Sequence, residues 1–168
     1  MRRVVIVGPG GAGKTTLADE LGRRTGLPVV HLDRHFWHPG WVETPRAEWR
    51  AAQQELFSGH EWIADGNYGA TLDERLPRAD TVLFCDFRAW RTLPRVIRRV
   101  RRGRGTDVQA VGCPERWDVK FLWWVVRYRR RSRPQVERAI AELASGADVY
   151  VLRTPRAVAD FLTSTSTG

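Results

Sequence analysis

The residues best suited to chemistry lie near the start of the chain, in the segment GPGGAGKTT. This segment fits the pattern G-x-x-x-x-G-K-[ST], in which glycines let backbone N–H groups surround phosphate oxygens. The lysine of this pattern reaches the β- and γ-phosphates, and the hydroxyl beside it binds Mg²⁺. The sequence therefore predicts a nucleotide site. Its contacts are expected from the whole loop: Gly8, Pro9, Gly10, Gly11, Ala12, Gly13, Lys14, Thr15 and Thr16.

Three carboxylates stand directly after, or at the end of, apolar runs: Asp33, Asp65 and Asp86. In open α/β sheets ligands bind beyond the carboxyl ends of the strands, so these side chains are expected near the glycine segment. Either Asp65 or Asp86 could complete a magnesium site with Thr15, acting through water. Asp33 could accept a proton from a substrate hydroxyl or hold a substrate group. The alternative for each is capping of the strand end or of the following turn.

The elements that must position these residues alternate along the chain. Apolar runs predict five strands, at 2–7, 28–33, 61–66, 80–86 and 147–152. The intervening patterns predict helices at 15–26, 45–59, 88–102, 116–131, 134–145 and 155–162, with a short helical turn over 72–77. This alternation predicts an α/β fold with a parallel sheet and helices on both faces. The tail at 163–168 is expected to fray.

Length and composition bound the kind of protein. A chain of 168 residues with 42% hydrophobic content suits a single folded domain over 1–168. No apolar run reaches the length of a membrane-spanning helix, and the apolar start is too short for a signal peptide. With only Cys85 and Cys113, a disulfide scaffold is not expected, and the cytoplasm is the expected compartment.

The charge is strongly basic. The formal net charge is +9, and only Lys14 and Lys120 of the 28 basic residues are lysines. A GC-rich genome would explain the choice of arginine over lysine, but it would not explain the excess of positive charge. This excess implies an anionic partner, which is either the phosphates of a small molecule or a nucleic acid.

Several blocks together resemble the adenylate-kinase-like P-loop kinases, and within them the small proteins called DNA topology modulation proteins. These blocks cover nearly the whole chain: GPGGAGKTT, HLDRHFWHPGW, WIADGNYGATLDERLPRADTVLFCD, RVIRRVRRGRG, GCPERWD and VYVLRTPRAV. The resemblance implies a P-loop NTPase fold, with a five-stranded parallel sheet in the order 2-3-1-4-5. It also implies a substrate-binding insert at about 34–60 and an arginine-rich lid at about 102–133.

The resemblance further implies roles for the carboxylates. Asp65 and Gly66 match the Asp-Gly pair that lies near Mg²⁺ in nucleotide kinases, which favours Asp65 over Asp86 as the metal residue. Adenylate kinases continue with a Pro-Arg that grips AMP, whereas this chain has Asn67-Tyr68-Gly69. The resemblance therefore does not extend to AMP as the acceptor.

Arginines and an adenine loop are also implied. Arg95 and Arg99 match a pair aimed at the phosphoryl group in transfer, and their spacing of four places both on one helix face. Arg99 is expected to contact the nucleotide as well. The segment from Arg153 to Pro155 matches the loop that lies against the adenine, so these two residues complete the predicted nucleotide contacts.

Histidines and aromatic residues crowd the region after the second predicted strand. His31, His35 and His38 could form a zinc site, line a substrate pocket or simply pack in the core. The nearby aromatic residues could wall a pocket or fill the core: Phe36, Trp37, Trp41, Trp62 and Tyr68.

The segment FLWWVVRYRRRSR at 121–133 admits two interpretations. Its arginines and aromatic residues could bind a nucleic acid through phosphate contacts and stacking. Helical spacing instead favours a buried stripe, formed by Phe121, Trp124, Val125 and Tyr128. Cys113, in the block GCPER, is expected to be structural.

The sequence as a whole predicts an ATP-dependent kinase that phosphorylates a nucleoside, a nucleotide or another small hydroxyl compound, with ATP and Mg²⁺ as cofactors. The predicted catalytic residues are Lys14, Asp33, Asp65, Arg95 and Arg99, with Thr15 and Asp65 at the metal. The alternatives are a nucleotide-dependent protein that binds nucleic acid with little turnover and a plain NTPase. No membrane partner is expected.

Overall fold

Strands and helices alternate along the chain in the computed structural model, which describes residues 1–165. The strands are β1 (Arg3–Val7), β2 (Val29–His31), β3 (Trp37–His38), β4 (Val42–Glu43), β5 (Trp62–Asp65), β6 (Thr81–Cys85) and β7 (Asp148–Leu152). The helices are α1 (Lys14–Thr25), α2 (Leu32–Phe36), α3 (Arg46–Leu56), α4 (Ala89–Gly103), α5 (Val119–Arg131), α6 (Arg133–Leu143) and α7 (Pro155–Ser164). Two 3₁₀ turns, Gly69–Glu74 and Leu76–Arg78, lie between β5 and β6.

Five strands form one parallel sheet in the order β2-β5-β1-β6-β7. Counted over these five strands, this is the predicted order 2-3-1-4-5, so the predicted α/β fold is confirmed. The register pairs Asp65 with His31 on one side and with Ile6 on the other. The carboxyl ends of the central strands therefore meet at one edge of the sheet.

Apolar side chains on both faces of the sheet hold the helices in place. Helices α1 and α7 cover one face with a core formed by Val4, Ile6, Leu17, Leu21, Ile63, Leu83 and Phe161. Helices α3, α5 and α6 cover the other with Val5, Val7, Trp49, Phe84, Tyr128, Val136 and Ile140. Each large apolar side chain that is fully buried contributes about 1.5–3 kcal/mol. The central strands are therefore rigid supports for the loops at their ends.

Strand β2 is shorter than predicted. Its pairing with β5 stops where His31 meets Asp65, because β5 itself ends there. The chain turns into α2 at once, so Asp33 lies in a helical turn and not at a strand end.

The region predicted as a lid, 102–133, divides into two parts. Residues 104–118 form an irregular loop with two isolated bridges, Arg104 to Glu115 and Asp107 to Pro114. The rest is α5, which begins at Val119 because the Asp118 side chain caps it by accepting a hydrogen bond from the N–H of Phe121.

Helix α5 is part of the core. Val125 and Tyr128 are fully buried, and Phe121 and Trp124 are half-buried, as the predicted stripe requires.

Further predictions can be compared with the fold. Strands β3 and β4 form a small antiparallel hairpin inside the predicted insert, which the sequence did not indicate. No helix among residues 1–165 is both long and apolar enough to cross a bilayer. The tail predicted to fray lies outside the described residues from 166 onward, and its earlier part continues α7 as far as Ser164.

Candidate functional site

The glycine segment forms the loop between β1 and α1, and it lines a cavity of about 1550 Å³ at the carboxyl edge of the sheet. Helix α1 begins at Lys14 and is capped by Gly13, which has no side chain to bond the N–H groups of the first turn. The first turn also holds no acidic residue. These N–H groups are therefore available to an anion, which the helix N-terminus attracts.

Two glycines of the loop are required by their surroundings. Gly8 has φ 145°, and a Cβ there would lie 2.5 Å from the carbonyl oxygen of Cys85. Gly11 has φ 77°, and its Cβ would lie 2.5 Å from the carbonyl oxygen of Thr92. Strand β6 and helix α4 thus press against the loop so closely that only glycine fits. Gly8 and Pro9 do not line the cavity, whereas the loop residues from Gly10 to Thr16 do.

Lys14 and Thr15 place a cation and a hydroxyl at the mouth of the loop. The Lys14 ammonium donates to the carbonyl of Pro9 at 3.2 Å. Thr15 Oγ1 donates to Asp65 Oδ2 at 2.7 Å. Because the hydroxyl proton is used in this bond, the Thr15 oxygen keeps lone pairs that a metal ion can take.

The Asp65 carboxylate is buried and ionised. Burial works to raise the pKa of Asp65, but the hydrogen bond from His31 and the charge of Lys14 outweigh burial and hold this pKa below its usual range. A hydroxyl oxygen and an ionised carboxylate are ligands that Mg²⁺ accepts, directly or through water. Thr15 and Asp65 therefore fit the predicted metal site.

His31 lies between two carboxylates. Its Nδ1 is 3.2 Å from Asp65 Oδ2, and its Nε2 is 3.0 Å from Asp19 Oδ1. Ionised carboxylates only accept hydrogen bonds, so these two contacts favour a ring with a proton on each nitrogen. The hydrogen bond to Asp65 raises the pKa of His31 by more than burial lowers it. The sequence drew attention to this histidine, but as part of a cluster with His35 and His38.

That histidine cluster does not form. His31 lines the cavity, whereas His35 and His38 do not. Among residues 1–165, no group of three or more His, Cys, Asp or Glu side chains is placed to hold a metal ion. The zinc alternative therefore has no geometric support in the described part of the chain.

Asp33 lines the same cavity and is held by a tyrosine. Tyr68 Oη donates to Asp33 Oδ1 at 2.5 Å. Burial, followed by the nearby Asp33 charge, raises the pKa of Tyr68 far above its usual range, so this hydroxyl keeps its proton. Tyr68 has φ 28°, a left-handed backbone that non-glycine residues rarely adopt. The hydrogen bond from Tyr68 holds Asp33 in one orientation, and the loop after β5 bears a strained backbone at Tyr68.

Arg75 fixes that loop from beneath, and sequence reasoning missed it. Its side chain is fully buried and donates to the carbonyls of Gly66 and Asn67 at 3.1 and 2.7 Å. It also donates to Gln53 Oε1 at 2.8 Å. Burial lowers the pKa of Arg75 to about 10, which leaves it charged at neutral pH. No signal in the sequence distinguishes it from the many other arginines.

The two predicted phosphoryl arginines differ in their present contacts. Arg95 and Arg99 both line the cavity, as the spacing of four on α4 requires. Arg95 lies beside the loop, with one guanidinium nitrogen 4.0 Å from the position that a Cβ on Gly13 would take. Arg99 forms an ion pair with buried Glu115, with Nε and Oε1 2.8 Å apart. This ion pair uses Nε, so it does not by itself prevent the terminal nitrogens of Arg99 from contacting a phosphate.

The structure separates Asp86 from the cavity. It is buried and pairs with Arg133 at 3.0 Å and Arg153 at 3.5 Å. Asp86 thus ties the start of α6 and the segment after β7 to the end of β6, and Asp65 is the carboxylate that reaches Thr15. Arg153 was expected against the adenine, but it faces Asp86 and does not line the cavity. Pro155, from the same predicted adenine loop, does line it.

The aromatic residues divide between the cavity and the core. Trp37, Trp41 and Tyr68 line the cavity. Trp62 belongs to β5 and is buried in the core, and Phe36 packs against the same core. The aromatic wall near Asp33 therefore comes from three of the five predicted residues.

The insert and the loop at 104–118 touch across the cavity, in a contact that we call the clasp. The clasp consists of four interactions between residues 38–41 and 112–116. The N–H of Gly40 donates to Gly112 O at 2.8 Å, Trp41 Nε1 donates to Pro114 O at 3.0 Å, and Cys113 Sγ donates to His38 O at 3.1 Å. The Arg116 guanidinium also lies 5.6 Å from the Trp41 ring centroid.

The cavity under the clasp is large for one ligand. Pockets for drug-sized molecules measure about 300–1,000 Å³, and this one is about 1550 Å³. It is continuous from the glycine loop to Asp33. Its size and charges fit a nucleoside triphosphate beside a second, smaller molecule.

Comparison with known proteins agrees with this fold. The structure resembles shikimate kinase from Acinetobacter baumannii in complex with shikimate, with 19% identity, a TM-score of 0.62, and coverage of 98% of this chain and 90% of that chain. It resembles a gluconokinase from Sinorhizobium meliloti 1021, with 15% identity, a TM-score of 0.54, and coverage of 98% and 89%. It also resembles deoxyadenosine kinase from M. mycoides with bound dATP, with 10% identity, a TM-score of 0.54, and coverage of 99% and 100%.

The sequence comparisons cover a smaller part of the chain. A family model described as isopentenyl transferase matches residues 1–39, which include the glycine loop and α1. No curated protein matches the chain. At these identities the likeness to solved structures establishes the fold alone, an α/β fold with a five-stranded parallel sheet flanked by helices.

Proposed function

We propose that this protein is a kinase that transfers the γ-phosphoryl group of ATP to a hydroxyl of a small molecule. The observation that carries the proposal is that one cavity joins two arrangements. One is the glycine loop with Lys14 and the Thr15–Asp65 pair, and the other is the Tyr68–Asp33 pair. The first suits a triphosphate with its metal, and the second suits a hydroxyl that must lose a proton.

The nucleotide side works mainly through position and charge. The loop amides and the Lys14 ammonium would hold the β- and γ-phosphates, while Thr15 and Asp65 would hold Mg²⁺. The bound metal supplies charge neutralisation on the phosphates. Arg95 lies beside the loop, where it would stabilise charge on the phosphoryl oxygens during transfer.

The acceptor side supplies the base. Tyr68 occupies one oxygen of Asp33, which leaves the other free to accept the proton of an incoming hydroxyl. That hydroxyl oxygen then attacks the γ-phosphorus, the bond to the β-γ bridging oxygen breaks, and ADP leaves. Trp37 and Trp41 would shape the pocket around the acceptor. The loop at 104–118, closed by the clasp, would exclude water and suppress hydrolysis.

The experiment is ADP release from Mg·ATP in the presence of single acceptors. The panel contains nucleosides, nucleotides, sugars and hydroxylated carboxylic acids, with Lys14→Ala as the inactive control. We expect one class of acceptor to raise turnover well above the basal rate in the native protein but not in Lys14→Ala. If ATP binds but no acceptor raises turnover, a plain NTPase or a nucleotide switch takes its place.

The resemblance to the proteins called DNA topology modulation proteins stays a prediction, and so does the single-domain organisation. The excess of arginine keeps a nucleic-acid partner as the alternative function. Part of that excess is used inside the protein, since Arg133 and Arg153 pair with Asp86 and Arg75 is buried beneath the site. We therefore favour the small-molecule acceptor.

A further inference from the structure

His31 has no role in the mechanism above, yet it contacts two carboxylates beside the proposed metal site. It is the last residue of β2, and the register of the sheet pairs it with Asp65, the last residue of β5. The two side chains therefore lie together at the carboxyl edge. The His31 side chain is only 10% exposed, so its contacts are with protein groups.

The contacts of His31 select one oxygen of Asp65. Thr15 Oγ1 and His31 Nδ1 both approach Oδ2, at 2.7 and 3.2 Å. Within residues 1–165 the other oxygen, Oδ1, accepts no hydrogen bond from the protein, and Asp65 lines the cavity. The pair of bonds on Oδ2 thus holds the carboxylate in one rotamer and leaves Oδ1 for water or a cation.

A second contact keeps His31 itself in place. Its Nε2 reaches Asp19 Oδ1 at 3.0 Å, and Asp19 belongs to α1, one turn after Thr15. The connection therefore runs from α1 through Asp19 and His31 to Asp65, and back to α1 through Thr15. Without it, the Asp65 carboxylate could turn toward the nearby Lys14 ammonium.

We infer that His31 is a positioning residue, held by Asp19, which orients the Asp65 carboxylate for a divalent cation bound together with the nucleotide. This inference rests on the proposed function, because it assumes that nucleotide and cation occupy the cavity. Groups that hydrogen-bond a metal-binding carboxylate typically change metal affinity about 10–100-fold when they are removed.

The test measures binding of Mn²⁺ to the protein–ATP complex. Free Mn²⁺ is quantified by its electron paramagnetic resonance signal. The variants are His31→Ala, which removes both contacts, and His31→Asn, whose amide can replace the Nδ1 donor to Asp65. His60→Ala is the matched control, because His60 is exposed just before β5, at the opposite end of that strand. ATP affinity in EDTA is measured alongside for all variants.

His31→Ala is expected to weaken Mn²⁺ binding at least about tenfold, with ATP affinity in EDTA unchanged. His31→Asn and His60→Ala should stay within about threefold of the native protein. The inference is overturned if His31→Ala binds Mn²⁺ as the native protein does, or if His31→Asn loses as much as His31→Ala. A native protein that binds neither ATP nor Mn²⁺ would instead refute the proposed function.

A second variant covers the case in which His31→Ala does not fold. The Asp19 side chain is 60% exposed, so Asp19→Asn removes the charge that holds His31 without disturbing the core. Its Mn²⁺ affinity is expected to fall by a smaller factor, about twofold to fivefold. Unchanged Mn²⁺ binding in Asp19→Asn would then overturn the inference.

Discussion

At the scale of single residues, Asp33 is the side chain on which the proposed phosphoryl transfer depends. It lines the cavity and accepts one hydrogen bond from Tyr68, which fixes its orientation. Many nucleotide-binding proteins share a glycine loop, but a kinase also needs a group that takes the proton of the acceptor hydroxyl. A change at Asp33 should therefore affect turnover and leave ATP binding in place.

Asp33→Asn should lower kcat by about 10²–10⁴-fold, because the amide cannot accept the hydroxyl proton. Affinity for ATP should stay within about twofold, since the amide oxygen of the variant would still accept the Tyr68 hydrogen bond and the loop amides are untouched. Asp73→Asn is the matched control, because Asp73 lies outside the cavity lining and pairs with Arg50. A variant Asp33→Asn with native kcat contradicts the role of Asp33 as base.

The glycine loop was predicted because its residues are local in the chain. The strand ends left Asp65 and Asp86 as alternative partners of Thr15, and only the family resemblance favoured Asp65, which is the one in contact with Thr15. Sequence reasoning could not find the contact between His31 and Asp65, since that contact depends on the register of two strands. The role of Arg75 could not be predicted from the sequence either. Arginines are almost always at least partly exposed, and only the folded chain shows one buried beneath the loop at 66–67.

At the scale of elements, Asp80 ties the start of β1 to the start of β6. Its Oδ2 accepts hydrogen bonds from the backbone N–H groups of Arg2 and Arg3 at 2.8 and 2.9 Å. Its Oδ1 accepts from Thr81 at 2.8 Å. Partial burial works to raise the pKa of Asp80, but these hydrogen bonds outweigh it and hold the pKa below its usual range.

Asp80→Asn should therefore lower the free energy of unfolding at pH 7 by about 1–2 kcal/mol, because hydrogen bonds to a charged acceptor are lost. An aspartate whose pKa is lowered by folding stabilises the native state above the unfolded pKa of about 4, and this contribution is lost as the pH falls through the lower folded pKa. The difference between native protein and variant should shrink below about pH 4 in urea unfolding.

The control for Asp80 is Asp160→Asn. Asp160 forms an exposed ion pair on α7, 3.9 Å from Arg156, so its loss should change stability by less than about 0.5 kcal/mol. A stability difference for Asp80→Asn that grows on acidification would contradict the assigned contacts.

The clasp is the second feature at this scale. If it closes the cavity against water, Trp41→Phe should raise ATP hydrolysis relative to acceptor phosphorylation, because the Trp41 N–H no longer bonds Pro114. The loss of one such hydrogen bond, about 0.5–1.5 kcal/mol, corresponds to a change of about twofold to tenfold. The measurement is the ratio of inorganic phosphate to phosphorylated product. Trp123→Phe, an exposed change on α5 outside the cavity lining, should leave this ratio unchanged.

An equal ratio in Trp41→Phe and the native protein would show that the clasp does not control water. The clasp was beyond sequence reasoning for a physical reason. It joins segments that are far apart in the chain, both irregular and without hydrophobic periodicity, so neither propensity nor pattern indicates the contact. The five strands, by contrast, are continuous apolar runs, which is why their positions and parallel direction were predicted.

At the scale of the whole molecule, the basic net charge and the position of the cavity both bear on the binding of an anionic ligand. The net charge is +9, and Lys14, Arg95 and Arg99 line the cavity. Carboxylates, among them Asp33 and Asp65, line the same cavity. The positive charge that suits a polyphosphate is therefore local to Lys14 and Arg95, beside the glycine loop. Lys14 lies at the start of α1, next to the carboxyl edge of the sheet, and α4 brings Arg95 and Arg99 to the same cavity.

The measurement that tests the central claim most directly is transfer of the labelled γ-phosphoryl group of ATP to a mixed library of small hydroxylated metabolites. Products are separated from inorganic phosphate and identified by mass spectrometry, with Lys14→Ala and Asp33→Asn beside the native protein. We predict that the label appears in an organic product, that one mole of product forms per mole of ADP, and that both variants lose this product. Label that appears only in inorganic phosphate, while ATP binds tightly, would contradict this prediction.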